Sequence, residues 1–257
     1  MHTIDTRALL SRLDSARAGA DRPVIATDAD GTLWSGDVGV DAFEALLAAR
    51  AVREEALARL RDVSREFGLP SHGDATQLAM GLYDAARSGA FPEDRCYELM
   101  AWSFAGYPME QAKRLVGEVQ QRAGLEARLH GEMKSVLSWA RDNGVRVVVV
   151  SASPRFVVES AVAPLGIEPA DVVGTTPEVT GGVIGAGLAE PMPYGERKAE
   201  VLLETAPQAQ VLAAFGDSPF DLPMLRTAQV PVAVRPKASL REAIDGLLGA
   251  VELAREM

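Results

Sequence analysis

Cysteine is nearly absent from this chain. Cys96 is the only one in 257 residues, which excludes an intramolecular disulfide and any multi-cysteine zinc site and fits a reducing compartment. As a lone thiol it reads as a small, buried or half-buried hydrophobe. Long apolar runs are missing too. None approaches the roughly 18 residues of a membrane span. Residues 1–22 place Ile4, Leu9, Leu10, Leu13 and Ala16 at helical spacing among charged residues, without the apolar core of a signal peptide. The expectation is a soluble, cytoplasmic protein with no membrane partner. No run of Lys or Arg stands out, and 26 basic against 36 acidic residues leave a net charge of -10. A nucleic-acid partner is therefore not expected.

What is present is ordinary for a globular protein: 47 % hydrophobic and 24 % charged residues, enough for one large domain or a core with a smaller companion. The most informative stretch is Val24-Ile25-Ala26-Thr27-Asp28-Ala29-Asp30-Gly31-Thr32-Leu33-Trp34. A short apolar run closed by Asp and Gly predicts a buried strand running into a loop, with Asp28 and Asp30 at its carboxyl end. In open α/β sheets ligands bind outside those ends, and residues i and i+2 of an extended chain face one side. Two carboxylates so placed can divide nucleophilic and proton-transfer roles. Other readings compete. An EF-hand loop also starts Asp-x-Asp, but Gly39 stands where its twelfth-position Glu is needed. The pair could also hold a metal-bound nucleotide sugar, or cap the next helix.

From about Asp41 to Gly131 the apolar spacing is helical throughout, broken at residues 68–73, 88–92 and 106–108, with no alternating strand pattern. Phe91, Tyr97, Trp102, Phe104 and Tyr107 read as the core of this helical insertion. A further helix ends at Asn143-Gly144, and Val145–Val150 is a β-branched run of the kind found in parallel strands covered on both faces. Ser151 then lies at a second strand end, where its hydroxyl could meet a phosphate oxygen or simply cap a helix over 156–165. Val172–Thr176 and Val183–Ala186 around Thr180-Gly181-Gly182 predict a hairpin beside the main sheet. Lys198 falls in the first turn of a helix, where the helix dipole disfavours it, so it is either a working residue or a surface lysine. A third strand runs into Gly216-Asp217, with Asp221 four residues on. Val230–Val234 predicts another strand, at a sheet edge because of Pro231. A helix over 240–248 closes the chain.

Asp28/Asp30, Ser151, Lys198 and Asp217/Asp221, in that order, resemble the motifs of the haloacid dehalogenase superfamily of hydrolases, in its phosphoserine-phosphatase-like branch. The matching pieces are DADGT at 28–32, the Ser of SASP at 151–154, Lys198, and GDSPFDLPML at 216–225. The resemblance covers nearly the whole chain. It implies an α/β fold, with a Rossmann-like, doubly wound, mostly parallel sheet from residues 1–39 and 133–257 and an all-helical cap from 40–132. It implies Asp28 as a nucleophile that becomes phosphorylated, Asp30 as the acid and then the base, and Ser151, Ala152 and Lys198 as binders of the phosphoryl group. A magnesium ion would be held by Asp28, the backbone carbonyl of Asp30 and Asp217, with Asp221 nearby.

The expected activity is magnesium-dependent hydrolysis of a small-molecule phosphate ester. A phosphotransferase and a non-catalytic phosphate-binding module are the alternatives. Dehalogenases of this superfamily lack the second aspartate, so Asp30 disfavours dehalogenation. Phosphoserine phosphatases carry a glutamate for the substrate ammonium where Asp37 stands, and a cap arginine for its carboxylate. Here Arg95 is the only arginine between Phe91 and Pro108, and Ser151-Ala152-Ser153-Pro154 replaces their usual Ser-Gly-Gly. Asp37 is the candidate for a substrate cation, as in an amino-alcohol phosphate or histidinol phosphate.

Overall fold

The computed structural model describes residues 1–256. Its frame is a seven-stranded, wholly parallel sheet of β1 (His2–Ile4), β2 (Pro23–Thr27), β3 (Arg146–Pro154), β4 (Val172–Thr175), β7 (Gln210–Gly216), β8 (Val230–Val234) and β9 (Val251–Leu253), in the order β1-β9-β8-β7-β2-β3-β4. A separate antiparallel pair is formed by β5 (Pro177–Thr180) and β6 (Val183–Leu188).

Alternation along the strands explains the layering. Val24 and Ala26 of β2 and Val148 and Val150 of β3 face one side, where they pack with α10 (Glu196–Thr205), α11 (Leu222–Leu225) and α12 (Ala238–Ile244). Ile25 and Val149 face the other, against α1 (Thr6–Arg17), α8 (Gly131–Asp142) and α9 (Arg155–Val162). With both faces covered, the strands must be apolar on both, as the β-branched runs are. From β2 the chain builds the sheet one way through β3 and β4, and the other way through β7, β8 and β9. The switch therefore falls at β2, and the crevice beyond the ends of β2, β3 and β7 is where such sheets take ligands.

The named elements between β2 and β3 are all helices, joined by loops: α2 (Val38–Ala48), α3 (Leu57–Glu66), α4 (Ala75–Arg87), α5 (Glu93–Trp102), α6 (Met109–Arg122) and α7 (Leu125–Arg128) precede α8. The three breaks expected from Gly and Pro fall between α3 and α4, α4 and α5, and α5 and α6. Entry and exit of this segment are tied together, since the His130 N–H donates to the Leu33 carbonyl at 2.9 Å. The β5–β6 hairpin is joined to the same helical segment: Gly106 N donates to Ile184 O at 2.8 Å and Ile184 N to Tyr107 O at 2.9 Å. Phe91, Trp102, Phe104, Tyr107 and Cys96 are buried as expected.

Four expectations need correction. Val172–Thr175 is not an arm of the hairpin but β4, at the edge of the parallel sheet beside β3, and the strand that pairs with β6 is Pro177–Thr180. Residues 1–22 are not one helix, because His2–Ile4 pair with Val251–Leu253 as an edge strand. The chain accordingly closes on β9, not on a helix over 240–248. Strand β8 is internal despite Pro231: its pairing with β9 starts only at Val232, so the residue lacking an N–H stands ahead of that ladder.

Candidate active site

Asp28 is the first residue after β2, and its backbone N–H donates to Phe215 O of β7 at 2.9 Å. That places its carboxylate between two strand ends. Lys198, in the first turn of α10, is buried and donates from Nζ to Asp28 Oδ1 at 2.7 Å and to Asp221 Oδ1 at 2.6 Å, so the surface-lysine alternative is excluded. The other Asp28 oxygen accepts from Thr32 Oγ1 at 3.1 Å. Asp221 Oδ2 takes Asp217 N at 3.1 Å, Ser218 N at 2.9 Å and Ser218 Oγ at 3.0 Å. It thereby fixes the loop after β7 while orienting Lys198.

Carboxylate oxygens of Asp28, Asp217 and Asp221 lie within 4.8 Å of one another, a hard-oxygen donor set that suits magnesium. Gly31 keeps the cradle open. It has φ 85°, and a Cβ there would meet Asp217 Oδ2 at 2.5 Å. The Asp30 carboxylate is not in this cluster. Its Oδ1 accepts from Val38 N at 2.7 Å and Trp34 Nε1 at 2.9 Å, and its Oδ2 from Ser153 Oγ at 2.7 Å. The N-cap of α2 is Asp37, which accepts from Val40 N at 2.8 Å, while Asp30 takes the N–H of that helix's first residue, Val38, and Asp28 has no part in the cap.

The protonation chemistry follows from this packing. Burial, with repulsion from Asp221 and Asp217, pushes Asp28 up to about 8 against the pull of Lys198. Burial disfavours the charge on Lys198, but Asp221 and Asp28 outweigh it and hold the ammonium above the ordinary lysine range. Asp30 is pushed up to about 7 by burial and by Asp37, against its three donors. That places an acid–base group close to neutrality. Burial raises Asp217 as well, against Lys237.

The model of haloacid dehalogenase-like hydrolases matches residues 25–226. The chain belongs to that family. Among solved structures, a Bordetella pertussis Tohama I protein of unknown function is similar at 20 % identity and TM-score 0.68, over 91 % of this chain and 98 % of that one. A substrate-bound phosphoserine phosphatase is similar at 16 % identity and TM-score 0.56, over 92 % and 95 %. The chain is 30 % identical to an "Inhibition of morphological differentiation protein" from Streptomyces azureus over 161 residues. That match covers 60 % of this chain and 57 % of the relative.

The cleft has a volume of about 40 Å³ and is lined by Asp28, Asp30, Ser151, Ala152, Lys198 and Asp217 from below, with Glu93 and Tyr97 of α5 above. Ser151 lies within β3, which continues to Pro154, and its hydroxyl accepts from Ser153 N at 3.1 Å. It caps no helix. A second cavity of about 270 Å³ shares Glu93 and Tyr97 with the cleft and adds Asp37, Tyr83, Cys96 and Met100, with Arg87 among its lining. Asp37 is pushed up to about 6 by burial, against hydrogen bonds from the start of α2.

Several residues escaped the sequence reading. Ser153 bonds Asp30; the signal was its i+2 spacing from Ser151, which turns both toward one side of the strand end. Tyr97 is a cleft wall, with its ring centroid 6.0 Å from that of Tyr194, which lies 4.3 Å from Phe220. Lys237, in the loop after β8, reaches Asp217 Oδ2 at 3.2 Å. Arg95 is turned into the helical segment, paired with Glu98 at 3.1 Å and Glu66 at 3.6 Å.

Proposed function

We propose that this hydrolase is a magnesium-dependent phosphatase that cleaves a small phosphomonoester through an aspartyl-phosphate on Asp28. The observation that carries the reading is the division between two acids on one cleft. Asp28 lies against the Lys198 ammonium, while Asp30, two residues on, sits in its own set of donors with an affinity for protons near neutrality. One is set up to attack and the other to carry a proton.

Asp28 Oδ attacks phosphorus, the ester P–O bond breaks, and the leaving oxygen takes the proton of Asp30. Water then attacks the acyl phosphate and gives its proton to Asp30, and the bond to Asp28 breaks to release phosphate. Ser151, the Ala152 segment and Lys198 stabilise charge on the transferring oxygens. Asp28 and Asp217, with the Asp30 backbone carbonyl, would hold magnesium beside Asp221; the ion supplies positive charge that offsets repulsion between phosphate and the carboxylates. Residues 40–132 act as a cap that excludes bulk water from the cleft.

The leaving group occupies the second cavity, where Asp37 offers a carboxylate to a cationic alcohol. With Arg95 committed to Glu98 and Glu66, phosphoserine is the weaker match.

The test is phosphate release from a panel of phosphomonoesters, with magnesium and with excess chelator, for the native protein and Asp28→Asn. Metal-dependent release that is lost in the variant supports the assignment. No release from any ester, by a folded protein that binds magnesium, refutes it in favour of transfer to another acceptor or of binding alone.

A further inference from the structure

Two lysines neutralise the acids of the cleft, in unlike ways. Lys198 is enclosed, with its side chain 4 % exposed between Asp28 and Asp221. Lys237 reaches Asp217 from the open side, with its side chain 61 % exposed. Each of the three carboxylates that could share a divalent ion is therefore already in contact with an ammonium.

The placement of Lys237 is built into the fold. Its backbone N–H donates to Asp217 O at 2.8 Å, which binds the loop after β8 to the loop after β7. Two residues earlier, Arg235 adopts φ 45°, a conformation that strains a non-glycine residue and persists only where its surroundings enforce it. Those surroundings are Glu132, a fully buried acid in the first turn of α8, whose Oε1 and Oε2 accept from Arg235 at 2.8 and 3.3 Å. Pro236, between the two, is buried.

We infer that Lys237 is a displaceable internal cation, which holds Asp217 in the metal-free protein and competes with the divalent ion for that carboxylate, lowering the metal affinity of the site. The inference rests on the reading of Asp28, Asp217 and Asp221 as a metal site. Without an ion, three buried carboxylates within 4.8 Å repel one another, and a neighbouring ammonium relieves that repulsion. Lys198 cannot leave without stranding two buried acids. Lys237 has a flexible four-carbon stem already largely in water, so it can release Asp217 at little desolvation cost. An incoming divalent ion must replace it, and binds next to a like charge if it does not.

The experiment is calorimetric titration of the metal-free protein with magnesium and with manganese, without substrate, for the native chain, Lys237→Met, Lys237→Gln, Lys237→Arg and Lys113→Met. Removing the competing charge is expected to tighten both ions by about tenfold in the Met and Gln variants, given a divalent and a unit charge at contact range in a water-like dielectric. Lys237→Arg retains the native affinity. So does Lys113→Met, which deletes an equal charge from a pair with Glu159 outside the cleft. As a second readout, metal-free Lys237→Met melts below the native protein, and its gain in melting temperature on adding magnesium is larger. Unchanged or weakened metal binding in Lys237→Met overturns the inference. Absence of binding in every chain instead overturns the metal-site reading beneath it.

Discussion

Lys198→Met is the most revealing single change to stability. Met keeps most of the aliphatic volume and removes the ammonium that lies 2.7 Å from Asp28 and 2.6 Å from Asp221. Both acids are buried, at 6 % and 0 % exposure, so neither can turn to water for compensation. Breaking a buried ion pair by deleting one partner costs about 3–5 kcal/mol, because the other charge stays behind in a poorly solvating site. Against a total stability of roughly 5–15 kcal/mol that is a large fraction. At roughly 2–4 °C per kcal/mol for a chain of this size, the melting temperature should fall by about 6–20 °C. The deficit should depend on pH. Near pH 5 Asp28 is protonated with or without the ammonium; as pH rises past about 8 the native carboxyl ionises against Lys198, whereas in the variant, with that pull gone, it keeps its proton and the deficit widens. Urea denaturation of metal-free native and variant protein at both pH values measures this. A variant as stable as the native chain at pH 8 would mean that Lys198 contributes only packing, and would refute the electrostatic account of the site.

Other outcomes follow from the same geometry. Asp28, Asp30 and Asp37 are all raised, to about 8, 7 and 6, so between about pH 4 and pH 8 the folded state binds more protons than the unfolded one. Chelated protein should thus lose stability as pH rises through that window, and magnesium should flatten the decline by holding Asp28 ionised; urea midpoints at pH 5 and pH 8 check the sign. Ser153→Ala removes the 2.7 Å donor from Asp30 and should move the limb of the kcat–pH profile that Asp30 governs upward by about one unit, whereas an unshifted profile counts against that assignment. Gly31→Ala should cost about 1–3 kcal/mol through its positive φ, and should weaken magnesium binding in calorimetry because the new Cβ would meet Asp217 Oδ2.

Much of the fold was legible because apolar runs ending in Asp or Ser mark buried parallel strands, as at Thr27-Asp28 and Gly216-Asp217. Gly and Pro breaks likewise separated α3, α4, α5 and α6. Strands β1 and β9 were not legible, since three residues carry no periodicity and each is defined only by its partner. Pro231 misled because a strand needs an N–H only where a neighbour is there to receive it. Within the site, Asp28, Asp30, Lys198, Asp217 and Asp221 were marked by residue type at strand ends and helix starts. Ser153 and Tyr97 look ordinary in sequence, and Lys237 lies in a polar loop. Their positions depend on how distant elements pack, which one chain of letters does not display.

The central claim is that Asp28 becomes phosphorylated. The most direct measurement uses Asp30→Asn with p-nitrophenyl phosphate, whose leaving group needs no proton, so that attack proceeds while removal of the phosphoryl group by water loses its base. The mixture is quenched in acid, digested and weighed by mass spectrometry. The account predicts one added phosphoryl group on the peptide bearing Asp28, dependent on magnesium and absent when Asp28→Asn is also present. No adduct, or an adduct on any other residue, would contradict it.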